Sequence, residues 1–348
     1  MRVPPAPLFL DPEHHAPTDP CVVRGPDGPG GAQVWWMFYT QRRVYDGGPG
    51  VSWVHGTDIG VATSDDGGLS WRYRGVVENL DPGPDGQAGR NTFWAPEVVR
   101  AGGMFHMFVS LVPGVPATWE GHRRHVLHHV SEDLVTWELR GRLPLSSDRV
   151  IDACVARHPG GGYRLWYKDE AAGARTYRVD SLDLEHWGEP REAVAGPPHE
   201  GANVFRLGGW WWLLVDEWRG QAAYRSRDLD VWERDRVLLD APGARPFDQG
   251  VGNHADVVVG LDPDGREVAW IFYFVHRMSP WTQAGRDDEA ECERGERVSR
   301  TRFAAVQVAQ ARVVDGHLVC DRDEPFDLDL RRAVDADGGV RHDTSTTM

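Results

Sequence analysis

The chain has no apolar run long enough to cross a membrane as a helix, which takes about 20 residues. Its first residues, Met1-Arg2-Val3-Pro4-Pro5-Ala6-Pro7, lack the apolar stretch of a secretory signal. Cysteine is scarce. The four present, Cys21, Cys154, Cys292 and Cys320, form no CxxC pair, which argues for buried thiols over a zinc site or a disulfide scaffold. Helical periodicity is missing too: no segment repeats apolar residues along one helix face for three turns. Basic residues are outnumbered, 38 Lys and Arg against 53 Asp and Glu, and a net charge of −15 repels phosphate backbones. These absences predict a soluble cytoplasmic protein of the all-β class that binds neither membrane nor nucleic acid.

What is present is a repeat. Ser64-Asp65-Asp66-Gly67-Gly68-Leu69-Ser70-Trp71 returns as Ser131-Glu132-Asp133-Leu134-Val135-Thr136-Trp137, as Ser181-Leu182-Asp183-Leu184-Glu185-His186-Trp187 and as Ser226-Arg227-Asp228-Leu229-Asp230-Val231-Trp232. Ser and Asp side chains close turns on nearby amides, and a Trp after the turn supplies a large ring for packing. Short aromatic runs precede each phrase: Val34–Thr40, Met104–Val109, Tyr163–Tyr167 and Trp210–Val215, with a fifth at Ala269–Val275. Each suits a pleated strand bounded by Gly or Pro. About four strands per unit and five units predict a five-bladed β-propeller, with blades at roughly 12–85, 88–145, 147–195, 197–245 and 250–330. Residues 1–330 then form one domain, closed at the N-terminal segment, and 331–348 read as a disordered tail.

The first strand of a blade lines the propeller axis, so equivalent positions there face one another. Aligned on a shared Val, these strands read Thr18-Asp19-Pro20-Cys21-Val22, Trp94-Ala95-Pro96-Glu97-Val98, Ile151-Asp152-Ala153-Cys154-Val155, His199-Glu200-Gly201-Ala202-Asn203-Val204 and Asn253-His254-Ala255-Asp256-Val257. Three residues before the Val (four in the fourth blade) stand Asp19, Ala95, Asp152, Glu200 and His254. Each alone has a bland reading as a turn starter, a loop acid or a satisfied core histidine. Together they place three carboxylates and an imidazole in one funnel. Such carboxylates repel and spread their pKa values, which is what glycosidic cleavage needs: one ionised group and one that holds a proton. Trp53, Trp94, Trp119, Trp210 and Trp218 are candidates to stack on a sugar. Glu97 reads as a sugar contact or a structural acid, and Asp256 as structural.

These segments resemble the signature of the five-bladed glycoside hydrolases of the family 43 type, over residues 12–325. His199–Phe205 with Val215-Asp216-Glu217-Trp218, and Asn253–Val259 with Ile271–Phe274, are similar to family 117, the exo-acting α-1,3-neoagarooligosaccharide hydrolases. The resemblance implies an inverting exo-glycosidase acting on an oligosaccharide. It implies Asp19 as the base that activates water, Asp152 as the group that tunes and orients the acid, and Glu200 as the proton donor, with His199 as the donor in the family 117 reading. Trp94, Glu97, Asn203, Trp218 and His254 are the implied substrate contacts. No cofactor is required, although a divalent cation near His254 would be compatible. Asp19 comes too early for the swapped N-terminal arm of family 117. Three other functions fit the fold. A phosphorylase needs Arg or Lys at a phosphate site, a glycan-binding propeller has no use for three aligned acids, and a sialidase needs an arginine cluster and six blades.

Overall fold

The computed structural model describes residues 1–292 and 297–334. Five four-stranded antiparallel sheets stand around one axis, each built from a contiguous stretch of chain. Blade one comprises β1 (His15–Arg24), β2 (Trp35–Arg43), β3 (Asp58–Ser64) and β4 (Arg72–Val76); blade two comprises β5 (Thr92–Ala101), β6 (Met104–Val112), β7 (His125–Ser131) and β8 (Glu138–Arg142). Blade three follows with β9 (Val150–Arg157), β10 (Tyr163–Asp169), β11 (Arg175–Ser181) and β12 (Arg191–Val194). Blade four has β13 (Glu200–Leu207), β14 (Trp210–Asp216), β15 (Gln221–Ser226) and β16 (Glu233–Leu238). Blade five has β17 (Asn253–Leu261), β18 (Glu267–His276), β19 (Ala304–Val314) and β20 (His317–Cys320). The fold is the five-bladed propeller the repeats predict.

The aromatic runs are the second strands, buried on both faces between neighbouring blades. Each Ser-x-Asp phrase is the turn from third to fourth strand. In the second copy Asp133 Oδ1 accepts from Val135 N–H and Thr136 N–H, both at 2.8 Å, while Ser131 Oγ accepts from Leu134 N–H. Leu134, Leu184 and Leu229 adopt left-handed φ near 65°, and the first copy meets that demand with Gly67 and Gly68. The closing Trp then reaches the preceding blade edge-on: Trp71 meets Phe272, Trp137 meets Phe38, and Trp187 meets Phe108, with centroids at 6.4, 6.0 and 5.9 Å. The phrase therefore interlocks the ring blade by blade. Beside the fifth blade the N-terminal segment adds a bridge from Phe9 to Val306.

One expectation needs correction, and one helix is present that apolar periodicity does not reveal. Residues 331–334 do not belong to a loose tail: Ala333 bridges Gly260, Val334 N–H donates to Val259, and Leu330 is fully buried. The rest of the proposed tail lies outside the described residues. The loop after β18 also contains an α-helix, α1 (Gln283–Cys292). Its residues are mostly polar, so it shows no apolar stripe. It is held instead by Asp288, whose carboxylate accepts from Ser299, Arg300 and Arg297.

Candidate active site

Every inner strand loses register at one point. The breaks fall after Thr18, Trp94, Ile151, Glu200 and Asn253. A β-bulge leaves a residue outside the ladder and re-aims its side chain. The first bulged residues, Asp19, Ala95, Asp152 and Gly201, all have left-handed φ, between 44° and 61°. Such backbone is costly for non-glycine residues and gathers at functional sites. Gly201 has a second reason to be glycine, because a Cβ there would come within 2.9 Å of the His254 ring. The structural equivalents are thus Asp19, Ala95, Asp152, Gly201 and His254. Glu200 sits one residue before its bulge, which is why it needed an extra step in the alignment.

Hydrogen bonds between blades fix these bulges. Ala95 N–H donates to Thr40 Oγ1 (2.8 Å), Asp152 N–H to Ser110 Oγ (3.1 Å), and His254 N–H to Asp216 Oδ2 (2.9 Å). Thr40, Ser110 and Asp216 hold the same register on the second strands of blades one, two and four. In blade three that position is Lys168, which cannot accept. Gly201 N–H therefore turns to Asp152 Oδ2 (3.1 Å), and the Lys168 ammonium is free to bind Glu200 Oε2 at 2.8 Å and Glu170 Oε1 at 3.3 Å.

A cavity of about 1020 Å3 opens over this layer, and Asp19, Asp152, Glu200, Asp216 and His254 reach it together. His254 Nδ1 lies 3.5 Å from Asp19 Oδ1. Trp218 Nε1–H donates to the second oxygen of Glu200 at 2.8 Å, and its backbone N–H is held by Asp216 Oδ1. Trp94, Trp119, Trp218 and Trp281 supply aromatic wall.

The acids differ sharply in proton affinity. Burial, reinforced by the charge of Glu200 against the opposing pull of His254, pushes Asp152 up to about 6. Burial and Glu200 push Asp216 up to about 7. Burial works on Glu200 too, but Lys168 and the Trp218 N–H outweigh it and hold the carboxyl at about 2. His254 is raised above its ordinary value: burial opposes its charge, and Asp19, Asp152 and Glu200 overcome that. Asp152 and Asp216 thus hold protons to higher pH than Glu200 does.

Several sequence-predicted residues are elsewhere. Glu97 is sealed in the ring below, with Cys21, Cys154, Asn203 and Asp256 at the same register. There Val98, Val155, Val204 and Val22 N–H groups donate to Cys21, Glu97, Cys154 and Asp256 respectively, and Asn203 donates to Asp256. Glu97 and Asn203 stitch blades together and do not line the cavity. His199 is fully buried and turned away from it: Nδ1 bonds Pro197 O at 2.8 Å and Nε2 accepts from Thr176 N–H at 3.1 Å. With both ring nitrogens engaged, it has no route to a sugar. Trp53 packs beneath Arg302, and Trp210 stacks with Arg225 and Arg227 outside the cavity. Among the described residues no three His, Cys, Asp or Glu side chains are placed to share a metal ion.

Lys168, Asp216 and Trp281 were missed. Lys168 did leave a mark, as the only lysine in the chain, placed directly after the aromatic strand Tyr163–Tyr167.

No protein-family model and no curated protein sequence matches the chain. Solved structures match its fold. A thermostable family-43 glycoside hydrolase superposes with a TM-score of 0.61 at 16% identity, over 91% of this chain and 98% of that one. An exo-1,5-α-L-arabinanase from a bovine ruminal metagenomic library gives 0.57 at 15%, over 90% and 99%. A family 43 β-1,3-galactosidase with galactodeoxynojirimycin gives 0.61 at 11%, over 89% and 95%.

Proposed function

We propose that this protein is a glycoside hydrolase that removes a terminal sugar from an oligosaccharide with inversion and needs no cofactor. One observation carries the reading: acids from three blades and a histidine from a fourth meet in one cavity, with the proton affinities of Asp152, Glu200 and Asp216 driven apart. The shared fold of the family 43 structures supports it.

Asp19 acts as the general base, taking a proton from the attacking water, and His254 at 3.5 Å balances its charge. Glu200 delivers the proton to the departing oxygen. Asp152 and Glu200 share this cavity and the charge of Glu200 raises Asp152, so the two titrations are linked. Donation from Glu200 requires Lys168 to loosen its grip, and Glu170, already at 3.3 Å, is the acceptor that can take the ammonium. A sugar seated against Trp218 would drive that exchange, because Lys168 lies 5.3 Å from the centre of the Trp218 ring. The family 117 variant of this reading depends on His199 as donor, and its buried, doubly bonded ring favours the family 43 type of arrangement.

The test is proton NMR of the first product anomer from a panel of aryl α- and β-glycosides. Inversion requires a base and an acid about 6.5–9.5 Å apart, with water between them. A retained anomer would overturn the role given to Asp19.

A further inference from the structure

Two cations of the cavity have carboxylate partners: Lys168 pairs with Glu200 and Glu170, and Arg124 with Glu170. Arg42 is different. It lies on β2 opposite Ala16, whose side chain packs with Phe274, Val44 and Ala304, so Arg42 faces blade five. Its guanidinium stacks 5.5 Å over the Phe274 ring. That contact covers one face and supplies no acceptor; no carboxylate pairs with Arg42 among the described residues, and its Nε is buried without a partner. Next to it, His276 is 6% exposed with a buried Nδ1 that also lacks a partner. Both residues line the cavity beside His254 and Asn253.

A half-buried guanidinium without a counter-ion and an imidazole nitrogen without a hydrogen bond, side by side in one cavity, need an explanation. Burial, with the Arg42 charge beside it, keeps His276 neutral, so it adds no second positive charge. Arg presents a planar fork that matches a carboxylate or an ester oxyanion in two parallel bonds. Arg149, another cavity cation with no carboxylate partner, adds to the attraction for anions.

We propose that Arg42 and His276 form an oxyanion-recognition corner of the substrate site, so that the sugar bound there carries a carboxylate or an ester oxyanion. Arg42 would pair with the anion, and His276 Nδ1 would take one hydrogen bond from the same sugar. This inference rests on the glycosidase reading and narrows its substrate class.

The experiment compares kcat/KM for matched aryl glycosides of neutral hexoses, the corresponding uronic acids and their sulfate esters. It uses the full chain in phosphate-free buffer and repeats the neutral substrates with inorganic phosphate. A charge-assisted bidentate pair predicts an acidic-to-neutral ratio of about 10–100 in the wild type. Arg42→Gln should collapse that ratio toward one, and Arg42→Lys should restore part of it. Phosphate-dependent turnover of neutral glycosides with release of sugar 1-phosphate would place the same anion chemistry on free phosphate. There a phosphate oxygen bonds the anomeric carbon as the glycosidic bond breaks, and the departing oxygen takes the proton. Hydrolysis of neutral glycosides with no preference for charge and no effect of phosphate would overturn the corner while leaving the glycosidase reading intact. Equal losses on all substrates in Arg42→Gln would also overturn it. If no glycoside is turned over under any condition, both readings fall.

Discussion

Replacing Lys168 with Met tests the electrostatics of the site directly. Met fills the stem volume and removes the ammonium that sits 2.8 Å from Glu200. That ammonium is the main force holding Glu200 at about 2 against the push of burial. An opposite charge at this range shifts a carboxyl by about 1–3 pH units. Glu200 keeps 26% of its side-chain surface, so solvent screening places the effect in the lower half of that range. Without Lys168 the linked Asp152 and Glu200 carboxyls also hold protons to higher pH, because Lys168 opposes protonation of both. The alkaline limb of the kcat/KM profile on an aryl glycoside should therefore move up by about 1–2 pH units. Initial rates between pH 4 and 9 on one substrate suffice, with a thermal melt to show that the variant folds. If the limb stays in place while activity falls at every pH, Lys168 only packs against Trp218, and the proton in flight is not held by this pair.

Asp19→Asn and Glu200→Gln should each lower turnover by about 10²–10⁴, the usual worth of one acid or base; an aryl leaving group that departs without protonation should rescue the Glu200 variant and not the Asp19 variant. His199→Ala should keep its turnover and instead lose about 1–3 kcal/mol of stability in urea titration, from the broken bonds to Pro197 and Thr176. Burial, with Asp256 adding to it, pushes Glu97 up to about 8, above its ordinary 4.5. The folded protein thus binds an extra proton between those values and loses stability as pH rises through them. Glu97→Gln should flatten that fall, which is about 1.4 kcal/mol per pH unit for one group. Trp137→Ala should cost about 3–5 kcal/mol, seen in chemical denaturation, because it empties the edge-on contact with Phe38 between blades one and two.

The sequence by itself determined the architecture. The Ser-x-Asp-…-Trp phrase is local chemistry: the Asp accepts amides two and three residues on, so the turn forms wherever the phrase is written. The aromatic strands are legible for the same reason, since a strand buried on both faces must be apolar throughout. Asp19, Asp152 and His254 were found because a propeller turns equal register into convergence on an axis. Helix α1 was not legible, because ion pairs to Asp288 hold it and no apolar face does.

Within the inner strands, only the tertiary structure decided which polar residues reach the cavity. Glu97 and Glu200 are both acids near a bulge, yet two residues beyond the bulge a side chain points to a sealed ring, and one residue before it to the open cavity. His199 and Glu200 are neighbours in sequence, but alternation along the chain sends one into the blade and the other to the axis. The charge state of Glu200 depends on Lys168, 32 residues away on another blade. Arg42 and His276 meet only where the fifth blade closes against the first. A single sequence lists such groups without distances, and distance is what sets hydrogen bonds, pKa values and chemistry.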